Sequence, residues 1–253
     1  MHVGLLIYGA LETISGGYLY DRKLVEHLRA QGDQVKIISL PWRNYPRHLL
    51  DNFSESLQKK FQKLQVDVLI QDELNHPSLA WQNGKIQEPF PKISLVHHLR
   101  SDELRAGWEN TIYRHVERRY LDSVDGFIFN SQTTKQSVAQ ISPIKQRPWI
   151  IATPAGDRFD PKIEPTKIEA RAHQSGPLRL IFIGNLIPRK GLHTLIESIS
   201  QLEQGCCILE VVGSFDADIS YAQRIFQQVK HAGLESSIQF LGAQSDKTLE
   251  NFL

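Results

Sequence analysis

Apolar and polar positions in the first 40 residues alternate with two different periods. His2–Tyr8 and Gln34–Leu40 are apolar runs of strand length. Between them, residues 18–31 carry apolar side chains at the spacing of one helix face, and Gly32 follows as a helix terminator. The pattern predicts a βαβ unit whose two strands are parallel.

The same alternation continues to about residue 153. Strands are predicted at residues 66–70, 93–98, 126–130 and 149–153. Helices are predicted at residues 49–64, 77–82 and 109–121, and from the N-cap Ser131 to about residue 140. Repeated alternation of this kind is typical of an α/β domain with a doubly wound, Rossmann-like parallel sheet.

A polar stretch rich in proline and glycine interrupts this pattern between residues 156 and 177. A new series follows, with strands at residues 178–184, 208–212 and 238–241 and helices at 192–202, 221–232 and from 246 onward. The second sheet therefore has about three strands, fewer than a mean sheet. We predict a Rossmann-like domain at residues 1–160, a linker at 161–177 and an incomplete, C-terminally truncated domain at 178–253.

Composition and charge exclude several classes of protein. The chain has 29 Lys and Arg residues against 28 Asp and Glu residues, and a net charge of +1 gives no global field for nucleic acid. A local basic cluster on one predicted helix could contact anionic lipid headgroups or an acidic ligand, and a solvated helix face is the alternative interpretation. The cluster consists of Arg114, His115, Arg118 and Arg119.

The cysteines and the apolar stretches of the sequence bear on the cellular compartment of the protein. Cys206 and Cys207 are the only cysteines, and adjacent cysteines rarely bridge each other, so a reducing compartment is expected. The N-terminus lacks the features of a signal peptide, and no stretch is apolar enough to span a bilayer. We expect a cytoplasmic protein, with peripheral membrane contact left open.

The loop from Gly184 to Gly191 joins a predicted strand end to a helix start, which is where doubly wound sheets bind ligands. Unpaired N–H groups at a helix start favour an anion, and Arg189 and Lys190 would add two positive charges. The pattern suits a diphosphate. An exposed turn, with Pro188 and Gly191 as its breakers, is the alternative.

Two better-known phosphate loops do not fit the sequence. A Walker A loop needs Gly-Lys-Ser/Thr, whereas here Lys190 precedes Gly191. A dinucleotide loop needs G-x-G-x-x-G and an acidic residue after the second strand, whereas the first loop has only Gly16 and Gly17 and the second strand runs into Pro41. A nicotinamide-dependent oxidoreductase is therefore the less favoured hypothesis.

The block from Ile183 to Leu192 resembles the start of the donor domain in group 1 glycosyltransferases, also called family 4, which have the GT-B fold. Other short blocks resemble the same family in the same order. They are Ser15-Gly16-Gly17, Val96-His97-His98, Phe129-Asn130-Ser131, Val211-Val212-Gly213 and Phe240-Leu241-Gly242.

The resemblance implies roles for particular residues. Lys190 and Arg189 would bind the donor diphosphate, in a loop that includes Gly184 and Asn185, where the family often has arginine at the latter position. Gly16 and Gly17 would let the backbone approach the same phosphates. His97 would face the transferred sugar as the catalytic residue, although a packed or hydrogen-bonded histidine at a strand end is the alternative.

The implied reaction transfers a sugar from a nucleotide-sugar donor to an unidentified acceptor with retention of configuration, without a cofactor or an obligatory metal. The family also places two glutamates eight positions apart after the residues that Gly213 resembles, and no such pair follows Gly184 here. Glu109 and Glu117 have that spacing but are predicted to lie on a helix surface in the first domain. An inactive, truncated glycosyltransferase-like protein with residual nucleotide binding is therefore the alternative.

Overall fold

The structure is a computed structural model that describes residues 1–103, 107–144, 146–154 and 164–250. The chain forms two compact units, Met1–Gly156 and Asp157–Leu253. No helix in the described part of the chain is long and apolar enough to cross a membrane.

The first unit is built on a six-stranded parallel sheet in the order β2-β1-β3-β4-β5-β6. The predicted doubly wound sheet is confirmed. Because the order reverses between β1 and β3, the loops after these strands leave toward opposite faces and open a crevice at the carboxyl edge. The strands are β1 His2–Tyr8, β2 Gln34–Leu40, β3 Val68–Asp72, β4 Lys92–Val96, β5 Gly126–Phe129 and β6 Trp149–Ile151.

Helices connect these strands and cover both faces of the sheet. Ser15 and Ser131 cap two of them, because their hydroxyl oxygens accept from the N–H groups of Tyr18 (3.3 Å) and Thr134 (3.1 Å). The helices are α1 Gly16–Ala30, α2 Tyr45–Leu50, α3 Glu55–Gln62, α4 His76–Leu79, α5 Gly107–Leu121 and α6 Gln132–Ile141.

The single helix predicted over residues 49–64 is wrong. A 3-10 turn at Asp51–Phe53 separates α2 from α3, and Ser54 caps α3 with an extended backbone. The amide of Asn52 is buried and donates to the carbonyls of Leu49 and Pro77. The break follows because polar residues that bond to nearby backbone compete with regular helical bonding.

Strand periodicity divides the core of the first unit between the two faces of the sheet. Along β1, Leu6 and Tyr8 belong to one buried cluster, whereas Val3, Leu5 and Ile7 belong to the other. The second cluster includes the α1 residues Tyr18 and Val25, so α1 covers that face. Both faces of β1 are therefore buried, as expected for a strand inside a parallel sheet.

The second unit has a three-stranded parallel sheet in the order β7-β8-β9. Its strands are β7 Leu178–Ile183, β8 Cys207–Val212 and β9 Ile238–Gly242, and its helices are α7 Pro165–Ala172, α8 Leu192–Ser200, α9 Ile219–His231 and α10 Asp246–Glu250. The helix α7 lies inside the segment predicted as a linker. Cys206 and Cys207 are free thiols.

The apolar faces of α8 and α9 pack against one face of this sheet. Ile196 and Ile199 of α8 and Ile225 and Val229 of α9 are buried in one cluster with the strand residues. The opposite face is more exposed and carries an ion pair between Arg179 and Glu210, whose side chains approach to 3.3 Å. The described part of the second sheet is thus covered by helices on one side.

Candidate functional site

The loop after β7 is fixed by hydrogen bonds to the segment after β8. The N–H of Gly184 donates to the carbonyl of Val212 (2.8 Å), and the side-chain oxygen of Asn185 accepts from the N–H of Ser214 (3.2 Å). A Cβ atom on Gly213 would lie only 1.9 Å from the carbonyl oxygen of Gly184. Glycine at this position therefore allows the two strand ends to approach each other closely.

Lys190 lies directly over Gly184. A 3-10 turn at Pro188–Lys190 returns the chain, and the Cδ atom of Lys190 lies 3.6 Å from where a Cβ of Gly184 would stand. The side chains of Arg189 and Lys190 are exposed, and no carboxylate among the described residues is within salt-bridge distance of either. Two uncompensated cations therefore lie at the carboxyl end of β7.

The start of α8 differs from the prediction of unpaired N–H groups. Gly191 precedes the helix in a left-handed conformation (φ 73°), and its carbonyl accepts from the N–H of Thr194. The hydroxyl of Tyr221 accepts from the N–H of His193 (3.1 Å) and also contacts the Nδ1 atom of this histidine (2.8 Å). Because the protein itself uses these amides, the exposed cationic groups of this loop are the side chains of Arg189 and Lys190.

The glycine loop of the first unit lies against His97. Gly16 and Gly17 form the first turn of α1, and a Cβ on Gly17 would lie 3.4 Å from the Cδ2 atom of His97. Within the described residues, nothing lies within 4 Å of the Cβ position of Gly16. The positive end of a 15-residue helix dipole therefore faces the crevice beside this histidine.

His97 follows β4 and is held from three sides. Its Nε2 atom lies 3.3 Å from Oδ1 of Asp21, and its ring meets the ring of Tyr20 edge to face at 5.2 Å. The side-chain amide of Asn130 donates to its backbone carbonyl (2.8 Å), and the hydroxyl of Thr134 approaches the same carbonyl. The strand-end motif Phe129-Asn130-Ser131 thus fixes the backbone of His97.

Buried carboxylates lie behind this histidine. Asp21 and Glu117 are fully buried, and Asp72 and Glu73 are each 3% exposed. Oδ1 of Asp72 accepts from the N–H of Leu74, whereas Oδ2 of Asp21 has no hydrogen-bond partner among the described residues. This is an unusual concentration of acidic groups for a protein interior.

The expectation that Glu117 lies on a helix surface is wrong. Its Oε1 atom accepts from the N–H groups of Arg100 (2.5 Å) and Ser101 (3.2 Å), so the carboxylate holds the loop after β4. Nearby, the ring nitrogens of His76 contact Oε1 of Glu73 (3.0 Å) and the hydroxyl of Tyr45 (3.1 Å). Glu117 is buried because the loop with Arg100 and Ser101 packs against α5. The periodicity of the helix alone gives no sign of this contact.

Burial shifts the titration of these groups. It raises the pKa of Asp72 to about 7, with a further contribution from Asp21, and it raises the pKa of Glu73 to about 8. Burial also raises the pKa of Glu117 to about 7 and lowers the pKa of His76 to about 4. The cluster therefore favours protonated carboxyl groups and a neutral His76 near pH 7.

The pKa of His97 is raised although burial acts to lower it. The hydrogen bond with Asp21 and, where these carboxyl groups are ionised, the charges of Asp72, Asp21 and Glu73 outweigh the cost of desolvation. One carboxylate oxygen of Asp21, one of Asp72 and one ring nitrogen of His97 lie within 4.8 Å of one another, a spacing that a cation could bridge. The direct contact between His97 and Asp21 offers a simpler arrangement, in which a protonated imidazole would supply the opposite charge.

The basic cluster on α5 has the arrangement of a solvated helix face. Arg114, His115, Arg118 and Arg119 are all exposed. Arg118 lies 3.8 Å from Asp122, one turn along the same helix segment. Such an exposed pair contributes little to stability.

Comparison with known proteins finds a family match in the second unit. Residues 164–253 match the family model of glycosyl transferases group 1. This part of the chain is therefore similar to group 1 glycosyltransferases. It contains the loop with Gly184, Arg189 and Lys190, so the sequence resemblance at this loop is confirmed at the level of the family. No curated protein sequence is significantly similar to the chain.

Solved structures of glycosyltransferases share the fold of the chain. Sucrose-phosphate synthase from Thermosynechococcus elongatus superposes with a TM-score of 0.77 at 19% identity, over 99% of this chain and 72% of that one. HepE from Anabaena, solved with UDP and glucose, has a TM-score of 0.68 at 17% identity, over 97% of this chain and 70% of that one. The lipopolysaccharide outer core galactosyltransferase WaaB has a TM-score of 0.58 at 12% identity, over 98% and 70%. The fold is of the GT-B type, with two Rossmann-like sheets.

Sequence reasoning missed the acidic residues that surround His97 in this glycosyltransferase fold. Asp72 ends an apolar strand and Glu73 follows it, which is a usable signal because the carboxyl ends of parallel strands line a binding edge. Asp21 lies on the buried face of α1, four residues after Gly17, and a buried acid in an apolar stripe is a second signal. Neither signal shows which histidine the acids approach.

Proposed function

We propose that the chain is a retaining glycosyltransferase that binds the diphosphate of a nucleotide-sugar at the loop from Gly184 to Lys190. The observation that carries this proposal is the pair of exposed cations, Arg189 and Lys190, beside a glycine at the carboxyl end of β7, with no ion-pair partner among the described residues. This loop lies in the part of the chain that matches the glycosyltransferase family. Structures of HepE with UDP and with UDP-glucose support a nucleotide-sugar donor.

The two cations suit the chemistry of sugar transfer. Breaking the bond between the sugar and the diphosphate increases negative charge on the leaving oxygen, and preorganised donors stabilise that charge. One well-placed donor contributes roughly 3 kcal/mol to a transition state of this kind. Lys190 would act as a point charge and Arg189 as a planar donor, while Asn185 holds the loop through Ser214.

In the first unit we propose that His97 contacts the transferred sugar and that Gly16 and Gly17 let the backbone approach a donor phosphate. The support is the position of both elements at one crevice, where α1 begins beside the histidine. We also propose a cytoplasmic location, with any membrane contact made peripherally by the exposed basic residues of α5.

Replacing Lys190 with alanine should weaken nucleoside diphosphate binding at least tenfold, because one of the two charges beside the phosphates is lost. Titration calorimetry with UDP, ADP and GDP measures the affinity for each nucleotide and shows which nucleobase the protein prefers. Lys230→Ala, which removes an exposed lysine from α9, is the matched control and should bind like the unmodified chain. Unchanged binding by the Lys190 variant would refute the assigned role.

The alternative function is nucleotide binding without turnover. It applies to the 253 residues of this chain, which span 72% of sucrose-phosphate synthase and 70% of HepE. A donor-hydrolysis screen with a panel of nucleotide-sugars separates the two functions, since the alternative predicts binding and no released sugar. The anomer of the product, read by NMR, tests retention.

A fluorescence titration with NADH should show no binding, which would exclude the oxidoreductase hypothesis.

A further inference from the structure

One ring nitrogen of His97 has a hydrogen-bond partner among the described residues, and the other has none. Its Nε2 atom lies 3.3 Å from Oδ1 of Asp21, while the Nδ1 atom has no hydrogen-bond partner among the described residues. The imidazole side chain is 15% exposed, whereas that of Asp21 is 0% exposed. The histidine therefore forms the accessible end of a pair whose other member is inside the protein.

The carboxylate of Asp21 is built into the fold. Asp21 lies on α1, five residues after Gly16, so the helix that presents the glycine turn also carries the acid. Its second oxygen, Oδ2, is buried and has no partner among the described residues. An uncompensated buried carboxylate is costly, so its contact with His97 is the interaction that offsets this cost.

We propose that Asp21 is a positioning residue that orients the His97 ring and, together with Asp72, keeps it protonated, so that Nδ1–H serves as a cationic hydrogen-bond donor to the bound sugar. This inference rests on the proposed function, in which His97 contacts the donor. It assigns the histidine a role as donor instead of base. The Asp21 carboxylate would not touch the substrate itself.

The charged groups around His97 agree with this assignment. Asp21 faces it from α1, and Asp72 and Glu73 face it from the end of β3. Tyr20 presents a ring edge and Tyr18 donates its hydroxyl to the carbonyl of Tyr8, so neither tyrosine adds a charge near neutral pH.

Positive groups near the histidine are engaged elsewhere. His98 contacts Glu103 at 3.0 Å, and Arg100 lies against the rings of Tyr45 and Tyr113. From α6 and the preceding loop, Thr134 and Asn130 present only uncharged groups to the backbone carbonyl of His97. Acidic groups therefore outnumber basic ones around the ring. The hydrogen bond with Asp21, together with the ionised fraction of Asp72, raises the pKa of His97 in spite of burial.

The first test follows the imidazole nitrogens of the full chain by NMR. In the 15N-histidine-labelled protein, the Nε2 resonance of His97 should show a hydrogen-bonded imidazolium at neutral pH. In Asp21→Asn, which keeps the shape of the side chain and removes its charge, the titration midpoint of His97 should move to lower pH. The resonances of the exposed His115 are the control and should be the same in both proteins.

Three outcomes decide this part of the proposal. A shifted midpoint supports it, and an unchanged midpoint overturns it. Broadening of the His97 resonances by micromolar Mn²⁺ would also overturn it, because the acids would then hold a cation. Should Asp21→Asn not fold, Asp72→Asn removes the second charge and leaves the hydrogen bond, and its midpoint must also fall.

The second test is the pH dependence of donor hydrolysis. The unmodified chain should lose activity as pH rises through the midpoint of His97. In Asp21→Asn, kcat should fall on the order of 10- to 100-fold, with the alkaline limb displaced to lower pH. A uniform loss without displacement would indicate a merely structural acid. Lack of hydrolysis by the unmodified chain would refute the proposed function, whereas the NMR result would still decide the pairing.

Discussion

Replacing Gly213 with alanine should destabilise the second unit by about 3 kcal/mol or more. The added Cβ would lie 1.9 Å from the carbonyl oxygen of Gly184 and 2.4 Å from its carbon, and these are backbone atoms that no rotamer change can move. The strand ends after β7 and β8 would have to separate, which breaks the hydrogen bond between Gly184 and Val212. Urea denaturation followed by circular dichroism measures the loss.

Gly184→Ala is the matched control for this prediction, because it changes the other member of the same close approach. Its Cβ would make an ordinary contact of 3.6 Å with the stem of Lys190, so the free energy of unfolding should change little. All four tryptophans precede residue 150, so their fluorescence reports the first unit and should not change in either variant. Equal stability of the Gly213 and Gly184 variants would contradict the geometry of this loop.

The first unit should lose stability as pH rises from about 6.5 to 8. Asp72, Glu73 and Glu117 bind their protons more tightly when folded, because their pKa values are raised to about 7, 8 and 7. The unfolded chain binds fewer protons in this range, so the free energy of unfolding falls with pH. Glu73 alone accounts for a fall of about 1.5 kcal/mol.

His76 acts in the opposite direction, at lower pH. Its pKa is lowered from 6.5 to about 4, so the unfolded chain binds more protons than the folded chain between these two pH values. The contribution of His76 to the free energy of unfolding therefore rises with pH in this range and is constant above pH 6.5. Between pH 6.5 and 8 the raised groups therefore dominate. Urea titrations followed by tryptophan fluorescence at several pH values measure this slope for the first unit.

Glu73→Gln should flatten this pH dependence, because glutamine stays neutral at every pH in the range. Glu55→Gln, which changes an exposed glutamate on α3, is the control and should retain the slope of the unmodified chain. A slope that is the same in the Glu73 variant would show that this carboxyl group does not titrate between pH 6.5 and 8.

The two candidate sites differ in how far sequence could predict them. The loop with Gly184, Arg189 and Lys190 is one continuous segment, so its glycine, breakers and charges are visible together. The group around His97 joins residues 21, 72 and 97, which no local pattern connects. Sequence reasoning placed the histidine at its strand end and missed the acids that surround it.

Errors in predicting the elements have a related cause. The break at Asp51–Phe53 depends on Asn52 finding a carbonyl on Pro77, which is 25 residues away. The bonded N–H group at the start of α8 depends on Tyr221, which belongs to the next helix. In both cases a distant residue supplies the hydrogen-bond partner, and propensity within a short window does not contain it.

The sequence by itself determined the alternation of strands and helices, the two parallel sheets and the glycine turns at strand ends. These features follow from side-chain periodicity and backbone freedom, which act over a few neighbouring residues. Only the tertiary structure decided that Asp21 pairs with His97, that Glu117 is buried and that Gly213 meets Gly184. Parallel pairing brings strand ends distant in sequence to a common edge, and burial there turns ordinary acids into groups with raised pKa values.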